Sequence, residues 1–432
     1  MSKMINGSYR SMLVTGVLVA TTTSLACDYH PPLDSVDDVA ELLAELKAST
    51  PPATINGQNS VRGVVSGLNV PGKLQVQQGH SCAAPARGGV FVEEVATIPA
   101  GFDEATVIFN GASASYTGGD HHVAMLGSGA IIDVERPPGQ LRWKAAGSLS
   151  DDNADDEFEW CYFYSLLFWK SGATGLQATV PTPTASRIFG EFIRPPTPVH
   201  EIAGSITASV GTFGGPRAVL PLGIATWFAF DQHILQAGFD LGTPAISENT
   251  ISWTSQTLLK DKESWRAMAS AELVEVMNGP GVTMWQPRVV SHWRNGRWQE
   301  EQVSFKLQAQ PDGAWNCVGG NVPAIVEQYF VDVPFAYAVP LLTGWQLNQA
   351  CSDSHVQRIG AYIDHYSFEP SGSGMGGILK YTVVGTLTDD NGGRLYDMQN
   401  KVTILGLQSV TIHRGGGPTA PVTQAPSPTP SR

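Results

Sequence analysis

Three histidines supply the first chemical signal. His122-Val-Ala-Met-Leu-Gly127, His233-Ile-Leu-Gln-Ala-Gly238 and His355-Val-Gln-Arg-Ile-Gly360 share the His, a β-branched residue after it and a Gly five positions on. Gly118-Gly-Asp-His-His122 sets two imidazoles and a carboxylate within three residues, Ser352-Asp-Ser-His355 echoes it, and His365 follows ten residues later. Neutral imidazole is the commonest ligand for zinc or copper, and alternate residues of a strand can face one ion. His121, His122 and His355 are the ligand candidates for such a metal. The competing reading is a packing or turn-capping His needed by the fold, because one catalytic centre would not need three equivalents.

Acidic and aromatic segments extend the inventory. Asp151-Asp-Asn-Ala-Asp-Asp-Glu157 offers oxygen ligands for Ca²⁺, with Asp151 and Asp152 as the candidates, although Asp and Asn also suit a plain hairpin turn. Ser291-His-Trp-Arg-Asn-Gly-Arg-Trp-Gln299 carries the Asn-Gly turn signal, which pairs Trp293 with Trp298 and Arg294 with Arg297 across two strands. These four side chains are the candidate ligand-binding set, since Trp flanked by Arg stacks on a sugar ring or a partner protein. No Gly-x-Ser-x-Gly elbow, His-Glu-x-x-His or phosphate loop is present.

The elements that must position these residues repeat. After each His, at 21, 20 and 26 residues, come Leu141-Arg-Trp143, Ile251-Ser-Trp253 and Leu379-Lys-Tyr381, each with Leu six and Asp eight positions after the aromatic. Lys73-Leu-Gln-Val-Gln77 and Lys306-Leu-Gln-Ala-Gln310 match ahead of Cys82 and Cys317. The spacing implies three copies of one domain of about 110 to 130 residues, too long for a solenoid or propeller unit and long enough for a two-sheet domain. Leu141, Trp143, Ala145 and Leu149 oppose Arg142, Lys144 and Ser148, as Leu379, Tyr381, Val383 and Leu387 oppose Lys380, Thr382 and Thr386. That alternation predicts antiparallel strands with one buried face.

The expected fold is all-β: three tandem homologous antiparallel β-sandwich domains, jelly-roll or immunoglobulin-like, with a short N-terminal helix. The divisions are residues 1–26 as a signal peptide and 27–52 as a segment with one helix capped by Ser35. Sandwich copies follow at 53–178, 199–285 and 286–414, with a Pro-rich linker at 179–198 and a disordered Pro/Thr/Ser tail at 415–432. Histidines on paired sandwich domains resemble the layout of copper monooxygenases of the peptide-hydroxylating kind, a likeness that implies His-bound copper.

Composition supplies an address. Of 432 residues 42% are hydrophobic and 15% charged, with 46 Gly and 29 Pro, which describes turn-rich globular domains. A net charge of −13 argues against nucleic acid as a partner. Lys3 and Arg10, the apolar run Met12 to Ala20 and Ser24-Leu25-Ala26 form an export signal cut before Cys27. Ala26-Cys27 also resembles a bacterial lipobox with its Leu displaced, so Cys27 is a candidate lipidation site. The chain is then an outer-membrane or cell-surface lipoprotein, or is secreted, and touches a membrane only through that anchor. Lipidation would leave Cys82, Cys161, Cys317 and Cys351 for two disulfides. Pairing within copies, Cys82 with Cys161 and Cys317 with Cys351, keeps each bridge local, but four cysteines allow three pairings. The expected function is extracellular binding of a glycan or protein by an adhesin-like array, favoured over catalysis. The alternative is a metal-dependent secreted enzyme using copper or zinc.

Overall fold

The computed structural model describes residues 60–64 and 73–407 apart from internal stretches, the longer of which are 152–154, 172–176, 186–198, 208–216, 229–232, 261–267, 310–321 and 350–354. The expected signal, N-terminal helix and tail lie outside the described residues, as do Cys27, Asp152, Cys317 and Cys351.

Among the described residues the chain is all-β. The strands of its first third are β1 (Ser60–Val64), β2 (Leu74–Cys82), β3 (Ala86–Thr97), β4 (Glu104–Tyr116), β5 (Met125–Glu135), β6 (Gln140–Ser150) and β7 (Glu157–Trp169). The middle holds β8 (Gln177–Ala185), β9 (Val199–Thr207), β10 (Arg217–Phe228), β11 (Gln236–Leu241), β12 (Ala245–Ser247), β13 (Thr250–Lys260), β14 (Met268–Asn278) and β15 (Val282–Trp285). The last third holds β16 (Val289–Arg294), β17 (Arg297–Gln302), β18 (Ala324–Val333), β19 (Tyr337–Gln349), β20 (Arg358–Pro370), β21 (Gly377–Asp389), β22 (Gly392–Gly393) and β23 (Leu395–Leu407). They form two antiparallel sheets of 16 and 7 strands.

Within these sheets one pairing order occurs three times. It runs β18-β21-β20-β4-β7-β2, then β3-β6-β5-β10-β14-β8, then β9-β13-β11-β19-β23-β15. Each order takes its first three strands from one sequence copy and its next two from the following copy, with copy one following copy three. Strand pairing therefore does not stop at the copy boundaries, and it closes on itself. The first residues of the expected linker, including Pro181 and Pro183, sit in β8, which pairs with β14 and ends its order. An end strand is where a sheet accepts Pro, because one of its edges needs no donor.

The sequence markers explain the seams. Val123, Ile234 and Val356, the β-branched residues after each His, are all fully buried. Burying such a side chain contributes roughly 1.5–3 kcal/mol, which fixes the start of the third strand of each copy. The Gly five positions after the His has a different task. A Cβ on Gly360 would lie 2.4 Å from the Ala112 carbonyl oxygen, and one on Gly238 would lie 2.7 Å from that of Trp345. Both glycines face strands of the next copy, Gly360 opposite Ser113 and Gly238 opposite Gln346. The glycines are the places where two copies approach backbone to backbone.

The alternation read from sequence holds only over the first part of β6 and β21, because Ser148, Thr382 and Thr386, expected on a wet face, are buried where both faces of these strands are covered. Leu141, Trp143, Ala145 and Leu149 are buried, as are Leu379, Tyr381, Val383 and Leu387. Cys82 and Cys161, directly opposed on β2 and β7, are disulfide-bonded, as local pairing anticipated.

Candidate metal centre

Cyclic pairing brings the three repeated histidines together. Each stands just before the third strand of its copy, β5, β11 or β20, and each of those strands lies against a neighbouring copy. Ring centroids are 4.4 Å apart for His122 and His233, 4.3 Å for His122 and His355, and 5.1 Å for His233 and His355. One ring nitrogen from each lies within 4.8 Å of the other two. His122 Nε2 is 2.8 Å from His233 Nε2, a contact in which one nitrogen must donate a proton to the other.

The donor set fits a transition ion. Ligands at about 2.0–2.1 Å in a tetrahedral zinc site lie roughly 3.3 Å from one another, so His122 and His233, at 2.8 Å, must spread slightly to admit an ion, and the His355 nitrogen lies within 4.8 Å of both. His122 and His233 are half-buried and His355 is exposed, which leaves one side of the triad open to water.

A carboxylate stands behind one of the rings. Asp120 Oδ1 lies 3.6 Å from His355 Nδ1, just beyond hydrogen-bond range. This partnership crosses a seam, since Asp120 follows β4 and His355 precedes β20. A carboxylate hydrogen-bonded to a ligating imidazole fixes its tautomer and raises its basicity, and its loss typically costs about 10–100-fold in metal affinity; Asp120 reaches that role once the pair closes by a few tenths of an ångström on metal binding. Asp120→Asn is therefore expected to weaken zinc binding by about that factor in calorimetric titration, with stoichiometry unchanged. Asp120, Asp389 and Asp390 also draw together, with carboxylate oxygens within 4.8 Å. Asp389 is buried, and it holds the position eight residues after the repeated aromatic.

The sequence candidates divide. His122 and His355 join the triad, and so does His233, which was not among the ligand candidates. His121 belongs to another group, with Nδ1 2.9 Å from Asp156 Oδ2 and its ring 4.7 Å from that of Tyr116. Asp151 lies in that second group too. Burial, reinforced by the negative charges of Asp151 and Asp156, pushes the Tyr116 phenol well above its usual range, so it stays neutral. His365 stands apart, paired with the neighbouring Asp364. The signal for His233 was present in the threefold repeat itself, and the missing information was that the copies close into a ring.

The tryptophan hairpin forms in the expected register, Trp293 opposite Trp298 and Arg294 opposite Arg297. It extends the outer edge of β18. Trp298 is 58% exposed and contacts both Trp293 and Phe330. Arg294 does not share that surface. It turns inward to buried Glu327 at 3.1 Å and to Asp397 at 3.2 Å, because successive residues of a strand face opposite ways. Arg297 is exposed on the hairpin.

No family model, curated protein or solved structure matches this chain.

Proposed function

We propose that this chain is an exported metal protein in which His122, His233 and His355, one from each of three homologous β-sandwich-derived copies, hold a single zinc or copper ion. The observation that carries this reading is the convergence of one imidazole from each copy. Three separate domains would have no reason to present their equivalent histidines to one point. A closed ring with a ligand at its centre does, and it turns the multiplicity of the His from an objection into a requirement. Three protein ligands with an open side leave a coordination position for water or substrate. A bound zinc would there act as a Lewis acid or lower the pKa of a bound water to about 7. Asp120 would orient His355. An export route, ending in secretion or in a lipid anchor at Cys27, is supported by the charged, apolar and small-residue segment before Cys27 and by the Cys82–Cys161 disulfide.

The test is metal content. The mature protein, purified without added chelator, should carry one zinc or copper per chain at this centre. An absence of saturable zinc or copper binding after reconstitution would sink the proposal.

A second reading concerns the hairpin, favoured by the exposure of Trp298 and Trp293 beside Phe330. We infer that this face binds an extracellular glycan or protein; Arg297, paired with Arg294, belongs to the other face of the hairpin. Glycan-array or pull-down signal should fall at least tenfold in Trp298→Ala and Trp293→Ala, and an undiminished signal in the double variant would discard this reading.

A further inference from the structure

The first histidine of the His121-His122 pair sits in a donor group distinct from the three-histidine centre. Ligand atoms of His121, Asp151 and Asp156 all lie within 4.8 Å of one another, and the closest contact, His121 Nδ1 to Asp156 Oδ2, is 2.9 Å. Asp151 is buried, while His121 and Asp156 are half-buried. The site is built on fixed backbone. His121 makes a two-bond bridge with Val356, at 3.1 Å and 2.7 Å, and Asp151 directly follows β6. The Tyr116 ring closes one side of His121.

A separate observation points to a missing partner. His121 Nε2 is buried and has no hydrogen-bond partner among the described residues. A buried nitrogen left unmade costs stability and calls for an explanation. An imidazole can offer either nitrogen to an ion, and His121 brings Nδ1 to the carboxylates while its second nitrogen, Nε2, is left without a partner among the described residues.

We propose that His121, Asp151 and Asp156 form a second divalent-cation site, separate from the three-histidine centre and chemically harder. One imidazole and two carboxylates suit Zn²⁺ or Mn²⁺, whereas calcium takes oxygen ligands and would leave the imidazole unused. The acidic segment first read as a calcium loop or a plain turn thus acquires a nitrogen ligand from the copy's own third-strand entrance. Two neighbouring residues, His121 and His122, then serve two different ions.

The experiment is zinc titration of chelator-stripped full-length protein, with bound metal counted by mass spectrometry and Mn²⁺ followed by its electron paramagnetic resonance signal. The wild type should bind two Zn²⁺, and Asp156→Asn and His121→Gln one each, with circular dichroism reporting that both remain folded. His233→Ala should lose the other equivalent and keep Mn²⁺ binding. A wild type that binds a single ion, lost in His233→Ala and retained in Asp156→Asn, overturns this site and leaves the three-histidine centre standing. A single ion lost in Asp156→Asn and retained in His233→Ala does the reverse. Binding that never saturates overturns both.

Discussion

His233→Ala is expected to abolish tight zinc or copper binding at the three-histidine centre while leaving the metal-free protein nearly as stable as the wild type. The reasoning separates two effects. His233 is half-buried and contacts His122, by a 2.8 Å hydrogen bond, and His355, so truncating it in the apo protein costs about 1 kcal/mol. Removing one of three imidazoles from an ion that needs all three leaves a two-nitrogen site with no geometric hold on the metal. Metal binding to the native state stabilises it by about 2.7 kcal/mol at a free concentration one hundred times the Kd. Thermal unfolding in excess chelator should therefore nearly coincide for wild type and variant, while added zinc should raise Tm by several degrees more in the wild type than in the variant, which keeps only the second site. Equal zinc stabilisation of both proteins would show that the ion binds elsewhere.

Gly360→Ala should be among the most damaging single-methyl changes in the molecule. Its Cβ would sit 2.4 Å from the Ala112 carbonyl oxygen, 2.5 Å from Ser113 Cα and 2.6 Å from Ser113 Cβ. Two of these three atoms are backbone of β4, which is held on its other side by β7, so no flexible side chain can retreat. Overpacking usually costs about 1–3 kcal/mol, and a clash with a fixed backbone belongs at or above the top of that range. Gly372→Ala is the control, because nothing lies within 4 Å of its added Cβ and the change should fall within about 0.5 kcal/mol. Denaturant titration measures both. Calorimetry adds a second reading, since copies joined by strand exchange should melt in one transition with matched calorimetric and van't Hoff enthalpies. Three resolved transitions, or a Gly360→Ala variant within 1 kcal/mol of wild type, would contradict the seam.

How much of this was legible in the sequence depended on distance along the chain. Local rules served in part: the Trp293/Trp298 register followed from the Asn-Gly turn, and alternation found the apolar face of β6 and β21 but not the burial of Ser148, Thr382 and Thr386 on the other. The Cys82–Cys161 bridge is the pairing that locality favoured among three the sequence leaves open. Arg294 was misjudged for a reason equally local. It was grouped with its tryptophan neighbour although consecutive strand residues face opposite sides. The centre itself was only half legible. Ser113 and Gly360 meet across copies, and no local pattern announces that a glycine five residues after a His exists to admit a strand from another copy. Without the ring, His233 looked like a redundant equivalent, and Asp156 like one more turn carboxylate.

The cyclic exchange also sets a timetable for assembly. β4 is made early, yet its partner on one edge is β20, near the other end of the described chain. Until β20 arrives, that edge presents unpaired amides and carbonyls, the surface through which chains aggregate or swap strands. Contacts of such long sequence separation also fold slowly. Nascent or truncated chains ending before β20 should accordingly be captured by chaperones or by one another, and the last copy to be delivered acts as the keystone.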